Sequence, residues 1–382
     1  MTRAFTRIGV LIGASILPWG DAAAQQLQIL NGQVTSAPAG TPFSPGFRKL
    51  VSSQAGTGWI GYTVPIVERQ RLMCCDGWEP WYGDQSVSVN GVRMSESPAG
   101  YRCRLEPRQD RDGTATSSEP LNTNAAPRGA VQLEGSERVA VLYRVIAGRV
   151  DRIRLVPADC VVDAGGRQVQ WVEGVRAGDS IDILESFAAG QDNSGRVTDG
   201  AIMAIALHGD PGADASLERL SKSEHPEAVR KKVMFWLGSA RGRNGFDRLR
   251  QVLRTDPSIE VRKSAVFGLS RTEERETVDT LAAIARTDSE SRLRSEALFW
   301  LAQKAGRQAA STITASIDED PDTEVKKKAV FALSQLPKEE GVPLLISVAR
   351  TNTNPAVRKQ AMFWLGQSKD PRAIDFFTQI LK

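Results

Sequence analysis

The chain has 382 residues, of which 25% are charged and 41% are hydrophobic, a composition typical of globular proteins. At about 150 residues per domain, this length suggests two domains. The 49 Lys and Arg residues nearly balance the 45 Asp and Glu residues, and the net charge of +4 argues against a general nucleic-acid-binding protein. The chain has only two histidines, His208 and His225, which argues against a metal centre built from several imidazole ligands.

The first residues have the pattern of a secretory signal peptide. Arg3 and Arg7 form a positive start, residues 8–17 are apolar but too few to span a bilayer, and small residues follow up to Ala24. We expect residues 1–24 to be removed and the mature protein to be periplasmic or secreted from a bacterium; a buried N-terminal helix is the alternative. No later stretch has the ~18 consecutive apolar residues of a transmembrane helix, so we expect no membrane span.

Four cysteines, all before residue 161, are expected to form two disulfides. In an oxidising compartment, an even number of cysteines in one domain indicates a disulfide framework. Adjacent Cys74 and Cys75 most simply have different distant partners, Cys103 and Cys160, although the sequence leaves all the pairings open. A zinc site with four thiolate ligands is the alternative, but the chain lacks the Cys-x-x-Cys spacing of such sites.

Residues 25–190 are expected to form a β-rich domain, because apolar and polar residues alternate in several segments. Three hairpins are predicted: residues 86–94 around Asn90-Gly91, residues 138–145 with 150–156 around Ala147-Gly148, and residues 160–162 with 168–172. We expect an antiparallel sheet, closed as a sandwich or an open barrel. Residues 108–130 are predicted to form a long loop, and a helix is predicted from Asp179 to Phe187.

The same domain contains the residues that best fit a catalytic or ligand-binding site. The aromatic residues of segment 78–82 could bind a peptide or a sugar, although aromatic residues on such a loop more often cover a small hydrophobic core. Asp159 with Asp163, or Glu68 with Glu79, fit an acid–base pair, but nothing in the sequence sets their separation. No nucleophile-elbow, dinucleotide-binding or P-loop motif is present.

From about residue 197 onwards, one unit recurs six times with a 32-residue period, the first copy being degenerate. One column of the repeat is Phe235, Phe267, Phe299, Phe331 and Phe363. A second column is Leu217, Leu249, Leu281, Ile313, Leu345 and Phe377. The apolar spacing predicts two helices per unit, which we call the A helix, beginning with Val-Arg, and the B helix. Since a helix pair cannot bury its own apolar face, the units must stack, and we expect an α-solenoid over residues 191–382.

The pattern Asp-Pro-x-x-x-Val-Arg-x-x-Ala-x-x-x-Leu-Gly, nearly met from Asp256 to Ser270, resembles HEAT repeats, most closely the short phycobilisome-lyase-like kind. The resemblance covers roughly residues 195–382 and stays in register through five copies. It implies a curved solenoid with the A helices on the concave side. Among proteins with related repeats, deoxyhypusine hydroxylase has paired His-Glu motifs for iron, and this chain lacks them. Bilin lyases bind a tetrapyrrole, and no motif in this chain matches theirs. We therefore expect the scaffold without a cofactor.

Helical geometry assigns roles to the aromatic positions of the A helix, counted from its Val as position 1. The Phe column at position 7 is predicted to be stacking core between repeats. Position 8 alternates large with small in Trp236, Gly268, Trp300, Ala332 and Trp364. This alternation is interpreted as packing that fills space at constant density; an aromatic row lining a groove is the alternative.

Positions 2 to 4 of the five clear A helices carry eleven cations and one anion. The HEAT resemblance implies that position 2, in Arg230, Arg262, Arg294 and Arg358, pairs with the residues expected to cap the neighbouring A helix, Asp256, Asp288, Asp320 and Asn352. We call position 3, in Lys231, Lys263, Lys327 and Lys359, the lysine rail; at ~10 Å per helix it is roughly 40 Å long. An ordinary solvated face is the alternative to a binding role for these eight cations.

The sequence thus favours a non-enzymatic protein-interaction scaffold or adaptor of the bacterial periplasm or cell envelope. Its expected partner is a protein, acidic or peptide-like, held on the basic concave ridge. One alternative is a hydrolase or oxidoreductase with its site in the β domain. The other is a polyanion-binding surface formed by the lysine rail, whose affinity would fall steeply with salt.

Overall fold

This computed structural model describes residues 27–68, 70, 72, 101–109, 115–120, 136–190 and 195–381, with only the backbone for residues 101–103, 107–109 and 115–120. The predicted signal peptide, the Asn90-Gly91 hairpin, Cys74 and Cys75, and the aromatic segment 78–82 lie outside the described residues. The structure therefore does not test these predictions. The loop predicted over residues 108–130 is wrong where it is described, because residues 115–120 form a strand that pairs antiparallel with the strand ending at Gln109.

Strands dominate the N-terminal region and helices the rest. The described strands are β1 (Gln28–Leu30), β2 (Gln33–Pro38), β3 (Thr57–Pro65), β4 (Tyr101–Gln109), β5 (Ala115–Pro120), β6 (Arg138–Ile146), β7 (Arg149–Pro157), β8 (Val161–Asp163) and β9 (Gln168–Glu173). Two helices accompany them, α1 (Phe43–Ser53) and α2 (Ala177–Ala188). The strands form one sheet of order β1-β8-β4-β5 and a second of order β2-β9-β3-β6-β7.

The sheets are mixed rather than antiparallel, which corrects the prediction. Strands β3, β6 and β7 pair antiparallel, but β8 runs parallel to β1 and β4, and β9 runs parallel to β2 and β3. The predicted hairpin between residues 160–162 and 168–172 is therefore wrong. The turn between β8 and β9 carries the chain from one sheet to the other. Strand β8 then pairs with β1, and β9 pairs with β2. Such long-range pairing leaves no local signal in the sequence.

The hairpin of β6 and β7 confirms the prediction for its residues. Val145 pairs with Val150 across the turn, and Ala147 and Gly148 have φ angles of 47° and 74°. Two successive left-handed residues give the turn the twist that the strands need. The amide of Gly148 also donates a hydrogen bond to the carbonyl of Gln54 at 2.9 Å.

Helix α1 was not predicted from the sequence, although the spacing of its apolar residues indicates a helix. Phe43, Phe47 and Val51 lie four residues apart and are all buried. The Phe47 ring packs edge-on against Tyr143 of β6, with ring centroids 4.8 Å apart. The predicted helix near Asp179 is confirmed as α2, but it begins at Ala177, and Asp179 binds the Arg176 guanidinium from the first turn.

The remaining helices form six A–B pairs in the described chain. The A helices are α3 (Arg196–Leu207), α5 (Glu227–Ala240), α7 (Ile259–Arg271), α9 (Ser291–Ala305), α11 (Thr323–Ser334) and α13 (Pro355–Ser368). The B helices are α4 (Gly212–Leu220), α6 (Gly242–Thr255), α8 (Thr277–Thr287), α10 (Ala310–Glu319), α12 (Lys338–Thr351) and α14 (Pro371–Ile380). Neighbouring A helices pack more closely than neighbouring B helices do. Since the inner layer of a bent stack is the shorter one, the A helices form the concave side.

One hydrophobic core runs from the larger sheet into the repeats. It includes Tyr143 of β6 and Ile183 of α2, and continues through all the A helices. Helix α3 lies directly on β7, because a Cβ atom at Gly200 would stand 2.4 Å from the carbonyl oxygen of Ile153. A second core cluster lies around Trp59 and Leu142 on the other face of the larger sheet. Among the described residues, no helix combines the length and apolarity needed to cross a bilayer.

His208 lies where β3 meets the first repeat. Residue Ile66 forms a β-bridge with His208, and the His208 carbonyl accepts a hydrogen bond from the Arg241 guanidinium at 3.0 Å. The imidazole Nδ1 accepts from the Asp210 amide at 3.1 Å, and Nε2 has no hydrogen-bond partner within the described chain. The pKa of His208 is lowered to about 4, chiefly by burial; the charge of Asp210 opposes this shift, and the guanidinium groups of Arg241 and Arg138 add to it.

We expect the free energy of unfolding to fall as the pH drops from 6.5 towards about 4. The unfolded chain protonates His208 near its ordinary pKa of 6.5, whereas the folded protein keeps the imidazole neutral down to about 4. The unfolded state then binds more protons and is favoured by acid. At ~1.4 kcal/mol per pKa unit, the loss is on the order of 3 kcal/mol, measurable by urea unfolding at several pH values.

A His208→Gln variant should lose much of this acid dependence, because the side chain no longer titrates. His225→Gln is the matched control; it removes the other, half-buried histidine and leaves the contribution of His208 in place. Equal acid slopes for the wild-type protein and the His208→Gln variant would contradict the assignment.

Candidate interaction surface on the A helices

Two of the predicted arginines hold neighbouring repeats together from inside the stack. Arg230 donates from Nε and Nη2 to the carboxylate of Asp256 at 2.9 and 3.1 Å, and Arg294 does the same with Asp320 at 2.7 and 2.9 Å. Each also donates from Nη1 to the loop before its own helix; for Arg230 the acceptor is the His225 carbonyl, at 2.6 Å. Bidentate pairs of this kind fix both distance and orientation.

These arginines are 6% and 8% exposed, so they do not form part of an open ridge, contrary to the expectation for Arg230 and Arg294. Burial raises the pKa of Asp320, but the hydrogen bonds from Arg294 and the Asp322 amide, together with the charges of Arg294 and Lys326, outweigh it, and the pKa is lowered overall. The ion pair is therefore the favoured state in the buried site. The predicted pairing with a neighbouring repeat is confirmed at these two positions.

The other position-2 residues depart from the predicted pairing. The guanidinium of Arg262 approaches Glu290 at 3.8 Å instead of Asp288, and Arg358 donates to the backbone carbonyls of Asn352 and Thr353. Both arginines are half-buried. Within the described chain, two of the three arginines that are followed by a further A helix therefore make the predicted pair, and Arg358 lies on the last A helix.

The acidic residues before the A helices also act differently from the prediction. Asp256 accepts the amide of Ser258, two residues later, and so forms a turn ahead of the helix. The N-cap itself is Ser258, whose hydroxyl accepts the amide of Val261. Asp320 and Asn352 form the same turn. This turn leaves both carboxylate oxygens of Asp256 and Asp320 aimed at the arginine of the preceding repeat.

The lysine rail is present but partly neutralised. Lys231 and Lys359 are exposed, whereas Lys263 and Lys327 are half-buried. The ammonium of Lys263 lies 3.3 Å from a carboxylate oxygen of Glu260, and that of Lys327 lies 2.9 Å from Glu324. Ser295 interrupts the rail in the third clear repeat. The rail is thus weaker than its count of lysines suggests.

Aromatic rings of the A helices form a continuous series of contacts across five repeats, which we call the aromatic ladder. Its members in order are Trp236, Phe235, Phe267, Trp300, Phe299, Phe331, Trp364 and Phe363. Successive ring centroids are 5.1, 5.9, 4.7, 4.8, 5.8, 4.8 and 5.0 Å apart. These are the separations at which aromatic pairs attract one another.

The ladder reaches the surface along its whole length. Seven of its rings are half-buried, and Phe363 in the last repeat is 53% exposed. The Phe column therefore stacks between repeats as predicted, but it is not fully buried core. Trp300 and Trp364 pack against Phe267 and Phe331 of the preceding repeats, and all three tryptophans stay partly exposed. The tryptophans therefore pack against the core as predicted, and with the Phe rings they also form a partly exposed aromatic row.

The alternation of large and small residues lets the ladder form. A Cβ atom at Gly238 would lie 2.0 Å from the carbonyl oxygen of Gly268, so helices α5 and α7 touch through their backbones. Phe235 then stacks on Phe267. In the next stack, which pairs Phe299 with Phe331, the positions of Gly238 and Gly268 are taken by Ala302 of α9 and Ala332 of α11, both buried. Trp occupies every second repeat, so the ladder has a period of two repeats.

A row of side-chain amides borders the ladder one helical turn later and was missed in the sequence. Gln303, Gln335 and Gln367 each follow a ladder Phe by four residues and share its face of the helix. The amide of Gln303 donates to Gln335 at 3.4 Å, which links neighbouring repeats. Their common 32-residue spacing was the available signal. We call these three residues the amide row.

Of the two predicted acid pairs, Asp159 with Asp163 lies within the described residues, whereas Glu79, the expected partner of Glu68, falls outside them. Asp163 is nearly buried and binds the amide of Asn31 and the backbone of Gly165, whereas Asp159 is exposed. Cys160 is buried, and the disulfide partners expected for it lie among residues whose side chains fall outside the described part of the chain. Among the described residues, no group of three or more His, Cys, Asp or Glu is arranged to hold a metal ion.

A model of the HEAT-repeat family matches residues 217–302, 246–333 and 309–382. Residues 217–382 contain HEAT repeats. The HEAT region corresponds to the stack of A and B helices from α4 onwards. No match was found among curated proteins.

Several solved structures are similar to parts of the chain. Human deoxyhypusine hydroxylase in complex with glycerol is 20% identical over 54% of this chain and 78% of that chain, with a TM-score of 0.24. The CpcE–CpcF complex of phycocyanin lyase from Nostoc sp. is 18% identical, over 51% and 79%, with a TM-score of 0.29. The condensin Cnd3–Cnd2 subcomplex of S. pombe is 20% identical, over 53% and 28%, with a TM-score of 0.32. At such scores the likeness says nothing about activity.

We expect Gly238→Ala to destabilise the protein by about 1–3 kcal/mol, the usual cost of forcing an extra carbon into a packed contact. The added methyl group would stand 2.0 Å from the Gly268 carbonyl, and helix α5 must shift to accommodate it. Gly366→Ala is the matched control, at the same position of α13, where nothing lies within 4 Å of the new atom. There the gain in helix propensity should stabilise by up to ~1 kcal/mol. Urea unfolding distinguishes the two; equal effects would contradict the backbone contact.

Proposed function

We propose that the protein is a non-enzymatic scaffold that binds a protein partner along the concave side of its HEAT repeats. The observation that carries this proposal is the aromatic ladder, eight contiguous rings that remain partly exposed over five A helices. Aromatic side chains contribute much of the energy at protein interfaces, because each buries a large apolar area with few rotatable bonds. Repeat solenoids use their extended concave surfaces for such recognition.

The rigidity of the surface supports the same function. The rings are carried by helices whose opposite faces lie in the core, and the buried pairs Arg230–Asp256 and Arg294–Asp320 hold successive repeats in orientation. A surface that is already ordered loses little conformational freedom when it binds. The neutralised lysines, Lys263 and Lys327, make a purely electrostatic polyanion-binding surface the weaker candidate.

Photo-crosslinking in cells that produce the full chain tests this proposal. With p-benzoylphenylalanine at Gln303, beside the ladder, we expect covalent capture of a defined protein. The same group at Ser347, exposed on B helix α12, is the positional control and should not capture it.

The double variant Phe299→Leu with Phe331→Leu should reduce this capture about ten-fold, since two interface rings contribute well over ~1.4 kcal/mol together. Leucine keeps the apolar contact and removes the rings. The variant Phe376→Leu with Phe377→Leu removes a ring pair of similar separation, 5.4 Å, from B helix α14 and should capture normally. Capture from Ser347, or equal capture by both double variants, would refute the proposal.

We also propose that the protein is exported and acts in the periplasm or outside the cell. The signal-peptide pattern of residues 1–24 supports this, as does the even number of cysteines in the N-terminal region. Mass spectrometry of the protein recovered from a periplasmic fraction should give a mature chain that begins at Gln25. Peptide mapping without reductant should place Cys160 in a disulfide. A full-length cytoplasmic protein with four free thiols would refute export.

A further inference from the structure

We infer that the partner segment is an acidic peptide that binds in extended form across the A helices and carries an apolar side chain about every six residues. This inference rests on the proposed scaffold function and specifies the chemistry of its partner. Three rows on the same surface carry it: the lysine rail, the aromatic ladder and the amide row.

The lysine rail lies directly beside the ladder. Each rail residue precedes a ladder Phe by four residues, so the two rows are adjacent on the same face of the A helices. In the described part of the chain, the rail residues Lys231 and Lys359 form no ion pair with a carboxylate, and neither does Lys328, which follows the rail residue Lys327 and precedes the ladder residue Phe331 by three residues. The neighbouring Arg358 donates only to backbone carbonyls. This border therefore keeps uncompensated positive charge at both ends of the ladder.

Anions close to the ladder are few. Glu296 is the one acidic residue in positions 2 to 4, and its carboxylate accepts the indole N–H of Trp300 at 2.7 Å. The glutamates that pair with Lys263 and Lys327 lie one turn earlier on their helices. An acidic segment beside the ladder thus meets a surface of opposite sign, and a basic segment meets like charge.

The spacing of apolar side chains follows from the period of the ladder. The ladder repeats every two units as a Phe–Phe stack followed by Trp, as in Phe235, Phe267 and Trp300. At ~10 Å between neighbouring helices, this period measures about 20 Å. An extended chain advances about 3.3 Å per residue, so equivalent positions on the ladder lie about six residues apart along a bound peptide.

The amide row supplies hydrogen bonds for the peptide backbone. Side-chain amides both donate and accept, which matches the alternating N–H and C=O groups of an extended chain. Gln303 and Gln367 are exposed, and Gln335 is half-buried between them. Arg271, exposed at the same position of α7, adds a donor to the row. A neutral sugar could stack on the rings, but it would gain nothing from the positive border.

A displayed library of random 16-residue peptides, selected on the immobilised full chain, tests the inference directly. Sixteen extended residues span about 50 Å, which exceeds the length of the ladder. We expect the enriched peptides to carry net negative charge and apolar residues about six positions apart. Enrichment of neutral or basic peptides, of peptides without that spacing, or of none at all would overturn the inference.

Synthetic copies of the enriched peptides are then titrated by fluorescence anisotropy. The variant with Lys231, Lys328 and Lys359 changed to Glu should weaken binding about ten-fold. The control variant changes Lys49, Lys222 and Lys338 to Glu, which are exposed on or beside helices other than the A helices and alter the net charge equally. Equal losses in both variants, or tight binding of heptameric neutral glucan instead of peptide, would also overturn the inference.

The two proposals fail in different ways. If a partner is crosslinked at Gln303 and its capture depends on the ladder, but the segment that contacts the ladder is neutral or basic, the inference of an acidic peptide is wrong. The scaffold function then stands. If no protein is captured from Gln303, the scaffold function itself is wrong.

Discussion

The stacking of each A helix on the next is the constraint on which the rest of the structure depends. A single helix pair leaves its apolar face in water, so a repeat is stable only against its neighbours. Two contacts determine how closely the helices approach and at what angle. One is the backbone contact between Gly238 and Gly268, and the other is the buried pair of Arg230 with Asp256. Both join one repeat to the next.

The candidate interaction surface is a consequence of that stacking. Once neighbouring A helices are close, their position-7 rings meet face to face, and the tryptophans fill the alternate gaps. Seven of the eight rings are half-buried between the helices, and Phe363 is exposed. The aromatic side chains thus stabilise the stack on one side and remain available to a partner on the other. One column of residues thereby serves both folding and recognition.

The N-terminal sheet is joined to the repeats by packing as well as by the chain. Helix α3 lies on β7 without space for a side chain at Gly200, and the bridge between Ile66 and His208 extends the sheet to the first repeat. The sheet therefore covers the end of the stack that would otherwise expose apolar surface. Terminal units of solenoids generally need such a cover.

The sequence predicted the elements whose signals are local or periodic. The 32-residue period, the A and B helices, and the hairpin around Ala147 and Gly148 all depend on spacing that can be counted. Helix α1 was missed although Phe43, Phe47 and Val51 were correctly spaced, because the surrounding strand pattern favoured a β interpretation. The parallel pairing of β8 and β9 could not be predicted, since their neighbours β1 and β2 are more than a hundred residues away.

By itself, the sequence determined which residues share a column and therefore a face of the A helices. Only the tertiary structure decided which of those columns are exposed. Arg230 and Lys231 are adjacent cations in the sequence, yet the first is buried against Asp256 and the second lies in solvent. The sequence likewise did not show that the Phe column is partly exposed. Exposure depends on how closely the next helix approaches, and that distance is set by contacts between residues about thirty positions apart.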